Sequence, residues 1–139
     1  MTNVNLSVGM QASNRIIVDK PRTIDFLGEN LRVYATPELV RDIELTCLNF
    51  LAACIGNGES SVGTAVHINH TGATLLGMEV EITATVSRID RRSVTFDIVA
   101  SDGVEEICNG THSRFIVDVE KLRLNVEKKA EQSRAMGSK

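Results

Sequence analysis

Thr36-Pro37-Glu38-Leu39-Val40-Arg41-Asp42-Ile43-Glu44-Leu45-Thr46-Cys47-Leu48-Asn49-Phe50-Leu51-Ala52-Ala53-Cys54-Ile55, residues 36–55, is the stretch whose reading decides the architecture. A threonine able to cap free N–H groups precedes a proline with no N–H to lose and a glutamate suited to the positive end of a helix dipole. Apolar side chains then recur at Leu39, Val40, Ile43, Cys47, Leu48, Phe50, Leu51, Cys54 and Ile55, a wide helical stripe. Gly56-Asn57-Gly58 ends it. A helix with so broad an apolar face must be largely buried, and it needs a sheet wrapped around it.

The flanking sequence supplies that sheet. From Ser60 to Val119 the chain alternates with period two. Val62, Thr64, Val66, Ile68 and His70 fall on one predicted face, with Gly63, Ala65, His67 and Asn69 on the other. A loop over Thr71–Gly77 leads to Met78–Asp90, where apolar residues alternate with Glu79, Glu81, Thr83 and Thr85. Asp90-Arg91-Arg92 turns the chain into Ser93–Ala100, and Asp102-Gly103 is a strong hairpin turn into a long last strand, Val104–Val119, with Gly110 as an expected bulge. Upstream, Arg15–Val18 reads as a short strand and residues 21–34 as a lid-like segment of no clean period. Residues 121–132 read as a charged C-terminal helix, and Ser133–Lys139 as a frayed end. The order predicts an α+β fold, with the helix in the concave face of a curled antiparallel sheet.

Composition narrows the classes of function. A chain of 139 residues suits one domain, and 42% hydrophobic with 24% charged residues is the balance of a globular protein. A net charge of −3 gives no support for nucleic-acid partners. Apolar runs such as Phe50–Ile55 fall far short of the ~20 residues that span a bilayer, so no membrane partner is expected. Three cysteines without a CxxC argue against a disulfide framework or a zinc finger. Met1–Asn14 has neither the basic start nor the apolar stretch of a secretory signal, which points to the cytoplasm.

Several residues are candidates for chemistry. Glu44 has Val40, Leu48 and Leu51 as its helix neighbours, so a carboxylate interrupts an apolar stripe; such a residue is either a stripe-edge glutamate reaching water or a functional acid. His70 ends an apolar strand face, as a satisfied core histidine or as a general base. Thr36 has a capping role, or a hydroxyl role beside the N–H groups of a helix start. Arg114 is a surface cation or a ligand for a phosphate or carboxylate, and Gly63 and Gly72 mark turns or close backbone approach. His67, three residues from His70 on a strand, points the other way, so no metal site is expected. Phosphate-loop, dinucleotide and GxSxG motifs are absent.

Ala35-Thr36-Pro37-Glu38, Ile43-Glu44, Ser61-Val62-Gly63-Thr64, His70-Thr71-Gly72-Ala73-Thr74 and Gly77 together resemble the fluoroacetyl-CoA thioesterase-like family of hotdog proteins. The resemblance continues through Val94-Thr95-Phe96, Ser101-Asp102-Gly103, Ile107, Gly110-Thr111-His112-Ser113-Arg114 and Glu120-Lys121, covering Val8 to Lys129. It implies a hotdog fold, a homodimer or higher homo-oligomer, and hydrolysis of a short acyl-CoA thioester, with the thioester as substrate and no cofactor. By the same resemblance Thr36, Glu44 and His70 match the family's catalytic residues, and Gly63 and Arg114 match positions at or near the substrate pocket. Fluoroacetyl selectivity in the family goes with aromatic side chains in the lid, whereas Phe26–Tyr34 here carries aromatics only at its two ends, so the acyl group stays open. Two other classes stay open beside hydrolysis: an acyl-CoA hydratase or dehydratase, and a non-catalytic acyl-CoA binder.

Geometry adds one expectation. Eight residues of regular helix between Thr36 and Glu44 rise about 12 Å, beyond shared reach of one small reacting group. Either an irregular first turn closes the gap, or the site is shared between two chains.

Overall fold

The computed structural model describes residues 5–137, so the first four residues of the Met1–Asn14 reading and the last two of Ser133–Lys139 lie outside it. The elements are β1 (Gln11–Ile17), α1 (Thr36–Ala52), β2 (Glu59–His70), β3 (Glu79–Asp90), β4 (Ser93–Ser101), β5 (Glu106–Asp118) and α2 (Val119–Gly137). Two short 3-10 turns, Lys20–Arg22 and Glu29–Leu31, punctuate the lid-like segment. The α+β expectation holds. The tail differs from its reading, because the chain stays helical to Gly137.

α1 buries Leu39, Ile43, Cys47, Phe50 and Leu51 against the sheet, as the stripe predicts. The sheet answers with the alternate side chains of its middle strands, Val80, Ile82 and Ala84 from β3 and Val94, Phe96 and Ile98 from β4. Phe50 and Phe96 pack ring on ring at 5.6 Å. Truncating one of the fully buried leucines to alanine costs about 2–5 kcal/mol. All three cysteines are buried and free. Burial pushes the Cys47 thiol up to about 12 and the Cys108 thiol up to about 11, which makes them inert core residues.

The five strands run antiparallel in the order β1-β3-β4-β5-β2. β3, β4 and β5 form the expected meander. β2 does not continue it. β2 joins the far side of β5, so β1 and β2 are the two edges. Thr71 and Gly72 both donate to the Ile107 carbonyl, which ties the end of β2 to the start of β5.

A bulge alters the predicted faces of β2. Gly63 pairs with Arg114 and Ala65 with Ser113, leaving Thr64 as the extra residue. The pleat therefore changes phase at Thr64. Val62, opposite Phe115, lies on the outer side, whereas Val66 and His70 are on the same side as Gly63. Gly110 is not a bulge: it pairs regularly with Ile68 and Ile98. A Cβ there would stand 2.0 Å from the His67 carbonyl oxygen, so glycine is required by the closeness of β2. Among the described residues no helix is long and apolar enough to cross a membrane.

Candidate active site in two halves

The first half lies at the start of α1. Ala35, extended at φ −80° and ψ 138°, is the residue before the helix, and its carbonyl accepts from Glu38 and Leu39. Thr36 is already helical, so it is not the expected cap. Its hydroxyl turns to His70 instead, with Oγ1 2.7 Å from Nδ1. Burial holds the His70 imidazole below its usual pKa, partly opposed by the Gly72 backbone, so the ring is neutral near pH 7. Its Nε2 is buried with no hydrogen-bond partner. The Tyr34 ring meets His70 edge-on at 6.2 Å.

Tyr34 is itself held from below. Its hydroxyl donates to Asp42 Oδ2 at 2.5 Å, and Arg22 grips both Asp42 oxygens, Nε at 2.9 Å and Nη2 at 3.0 Å. Asp42 is only 2% exposed, and this fork with three charge-assisted or hydroxyl bonds is what makes its burial tolerable. Desolvation and the adjacent Asp42 raise the Tyr34 pKa far above its normal value, so Tyr34 stays a donor. The same network clamps the base of the lid-like segment to α1, since Arg22 belongs to the lid and Ala35 N–H donates to the Arg22 carbonyl. The lid tip carries Phe26 and Leu27 in the open.

The second half lies along α1 toward the β2 edge. The Glu44 side chain is 45% exposed, and its Oε2 stands 3.8 Å from Nη1 of Arg114. Arg114 is buried: Nε donates to Ser61 Oγ and Nη2 to the Ser61 carbonyl, both at 2.8 Å. Nη1 faces His112 Nε2 at 3.2 Å. Desolvation lowers the Arg114 pKa while Glu44 raises it, and the group remains a cation. Gly63 completes the wall. A Cβ at Gly63 would come within 2.7 Å of Glu44 Oε2, so the absent side chain leaves room for an atom of a ligand beside the carboxylate. A cavity of about 320 Å³ opens here, lined by Glu44, Gly63, Thr64, Ala65, Val66 and His112.

The structure thus brings Thr36 to His70, and Glu44 to Arg114 and Gly63, but it does not join the two groups. α1 is uninterrupted from Thr36 to Ala52, so no irregular turn shortens the rise of about 12 Å between Thr36 and Glu44. His67 is exposed and pairs with Thr111, away from His70. No group of three metal-ligating side chains occurs among the described residues. Sequence reasoning gave no site role to Arg22, Tyr34, Asp42, Ser61 or His112. Two of these carried a signal: Asp42 shares a helix face with Leu39 and Thr46, and His112 is two residues from Arg114 on one strand face.

The model of the fluoroacetyl-CoA-specific thioesterase family matches residues 18–120 of the chain. The fluoroacetyl-CoA thioesterase of Streptantibioticus cattleyicolor is 32% identical over 131 residues, covering 89% of this chain and 94% of that protein. A crystal structure of an alanine mutant of a fluoroacetyl-CoA-specific thioesterase, in complex with fluoroacetate and CoA, superimposes with a TM-score of 0.78 at 32% identity, over 84% of this chain and 99% of that one. A Thermus thermophilus member of the thioesterase superfamily superimposes with a TM-score of 0.84 at 23% identity, over 93% and 96% of the two chains, which shows the shared fold alone.

Proposed function

The chain belongs to the fluoroacetyl-CoA-specific thioesterase family, and from that membership we propose that it hydrolyses a short acyl-CoA thioester to the free acid and CoA. The observation that carries this reading is the 2.7 Å contact between Thr36 Oγ1 and His70 Nδ1. A hydroxyl relieved of capping, a neutral imidazole and the Thr36 N–H at a helix start are the parts that acyl transfer needs. His70 orients the Thr36 hydroxyl, and the helix start stabilises the oxyanion that develops on the carbonyl. Glu44 supplies the carboxylate, by attacking the carbonyl to give an anhydride that water opens or by activating water directly. Each route breaks the C–S bond, and the CoA thiolate takes up a proton as it leaves. Gly63 lines the acyl pocket, and Arg114 stands next to it within 3.8 Å of Glu44.

Thr36 and Glu44 act together only across two chains. β2 is twelve residues long, sits at a sheet edge, contains no proline, and exposes Val62 and Val66. An edge of that kind is a template for pairing with a second copy. A two-fold dimer built on β2 sets the Thr36–His70 pair of one chain opposite Glu44 of its partner. The three free thiols suit a reducing compartment such as the cytoplasm.

Thiol release from acyl-CoAs of increasing chain length, with the products identified, tests the activity. Free acid and CoA from a short acyl-CoA are expected. Addition or loss of water on the acyl chain makes it a hydratase or dehydratase instead, and tight binding without free thiol makes it a binder.

A further inference from the structure

His112 is 2% exposed, and its edge lines the same cavity as Glu44. Its two ring nitrogens face partners of opposite kind. Nδ1 is 2.8 Å from the Ala65 carbonyl oxygen, which can only accept, so Nδ1 carries a proton. Nε2 is 3.2 Å from Arg114 Nη1, which can only donate, so Nε2 carries none. The ring is a neutral Nδ1–H tautomer. Burial, the largest effect, lowers its pKa against the opposing Ala65 hydrogen bond, and the Arg114 charge lowers it further against Glu44.

The placement has a local cause. The bulge at Thr64 shifts the register so that Val66 stands opposite His112, two residues along β5 from Arg114 on the same face, and the neighbouring Ala65 carbonyl comes within reach of the ring. Ser61 takes Nε and Nη2 along one edge of the planar Arg114 guanidinium but gives the buried Nη1 no acceptor. Nη1 is the atom that faces Glu44. Without an acceptor at Nε2, a buried Nη1–H is left unpaired and the guanidinium is held along one edge only.

We propose that His112 is a positioning residue of the thioesterase site, accepting Arg114 Nη1–H at Nε2 and so aiming the guanidinium at the Glu44 carboxylate. This rests on the hydrolase reading above. Its effect falls on the reacting step, because the Arg114–Glu44 geometry sets how the carboxylate meets the carbonyl. Substrate affinity should change little.

Two substitutions separate the contacts. His112→Gln sets an amide oxygen near the place of Nε2, so Arg114 keeps its acceptor. His112→Asn sets an amide N–H near the place of Nδ1, so the Ala65 bond survives and the Arg114 bond does not. Hydrogen bonds to charged groups have effects of this size, so kcat is expected to fall about tenfold or more in His112→Asn. KM should stay within about twofold, and His112→Gln should retain kcat within about threefold. Equal loss in both variants, no loss in either, or a change confined to KM overturns the proposal. Imidazole nitrogen NMR on the wild-type protein at pH 7 provides a test without any variant: the proposal requires a protonated Nδ1 and a bare Nε2 on His112. The reverse tautomer or an imidazolium overturns it even if His112→Asn does not fold. A wild-type enzyme that releases no thiol refutes the hydrolase reading, whereas an active wild type lacking this pattern refutes only the role of His112.

Discussion

Glu44 and Asp42 stand two residues apart on α1, and their surroundings differ in kind. Asp42 is buried and locked to Arg22 and Tyr34, whereas Glu44 is half-exposed beside an open cavity, 3.8 Å from Arg114. A carboxylate held that loosely adds little to the fold. Glu44→Gln should therefore change unfolding free energy by less than about 1 kcal/mol. Turnover of the acyl-CoA substrate should fall to background in the same variant, since an amide neither attacks nor takes a proton. Near-normal turnover would make Glu44 structural. The histidines set a pH dependence. His70 and His112 both have pKa values lowered by burial, so the unfolded chain binds more protons than the folded one as pH falls below their ordinary value of about 6.5. Their contribution to stability is complete above that pH and is lost as pH falls through the lowered values. Melting temperature followed from pH 7.5 to pH 5 should drop, and part of the drop should disappear in His112→Gln. A melting temperature that rises on acidification contradicts the buried neutral rings.

At the scale of elements, α1 and the β2–β5 pair set the site geometry, and two glycines show how. Gly63 and Gly110 both stand where strand backbone meets something closely, but the neighbours differ. The atom nearest a Cβ at Gly63 is Glu44 Oε2, at 2.7 Å, the far end of a flexible side chain. At Gly110 it is the His67 carbonyl oxygen, at 2.0 Å, fixed in the strand ladder. Gly63→Ala should therefore keep its midpoint in urea while displacing the carboxylate and lowering kcat. Gly110→Ala forces β2 and β5 apart and should cost about 3 kcal/mol in the same titration. Equal destabilisation by the two substitutions would mean that Glu44 is as immobile as the backbone. The helix of α1 was legible because its apolar period is long, and Glu44 stood out as a charge within it. The Thr64 bulge left no mark in the period-two pattern, because alternation on either side of it is intact and only the phase changes.

At the scale of the whole molecule, one chain holds the two separated halves of the proposed site. The proposed β2-edge dimer unites them, and light scattering at micromolar concentration should give at least twice the 15.2 kDa of the chain. Subunit mixing tests the shared site itself. Thr36→Ala and Glu44→Gln proteins should each be inactive alone. In a heterodimer the Glu44→Gln chain offers its intact Thr36 to the intact Glu44 of its partner, so one whole site forms and activity returns. If activity stays at background after subunit exchange is verified, each chain builds its own site and the cross-chain arrangement is wrong.

By itself the sequence determined the element order, the buried face of α1, the hairpins, the family, and the five residues Thr36, Glu44, Gly63, His70 and Arg114 as the ones to examine. Those are properties of periodicity, turn chemistry and motif spacing, which are written along the chain. Only the tertiary structure decided that Thr36 bonds His70 rather than capping its helix, that β2 lies beyond β5, and that Asp42 is the buried carboxylate on α1. It also decided that His112 Nε2 faces Arg114 Nη1. Each of these depends on contact between residues far apart in sequence, and on the phase of a pleat reset by one extra residue. Such contacts exist only once the strands are in register.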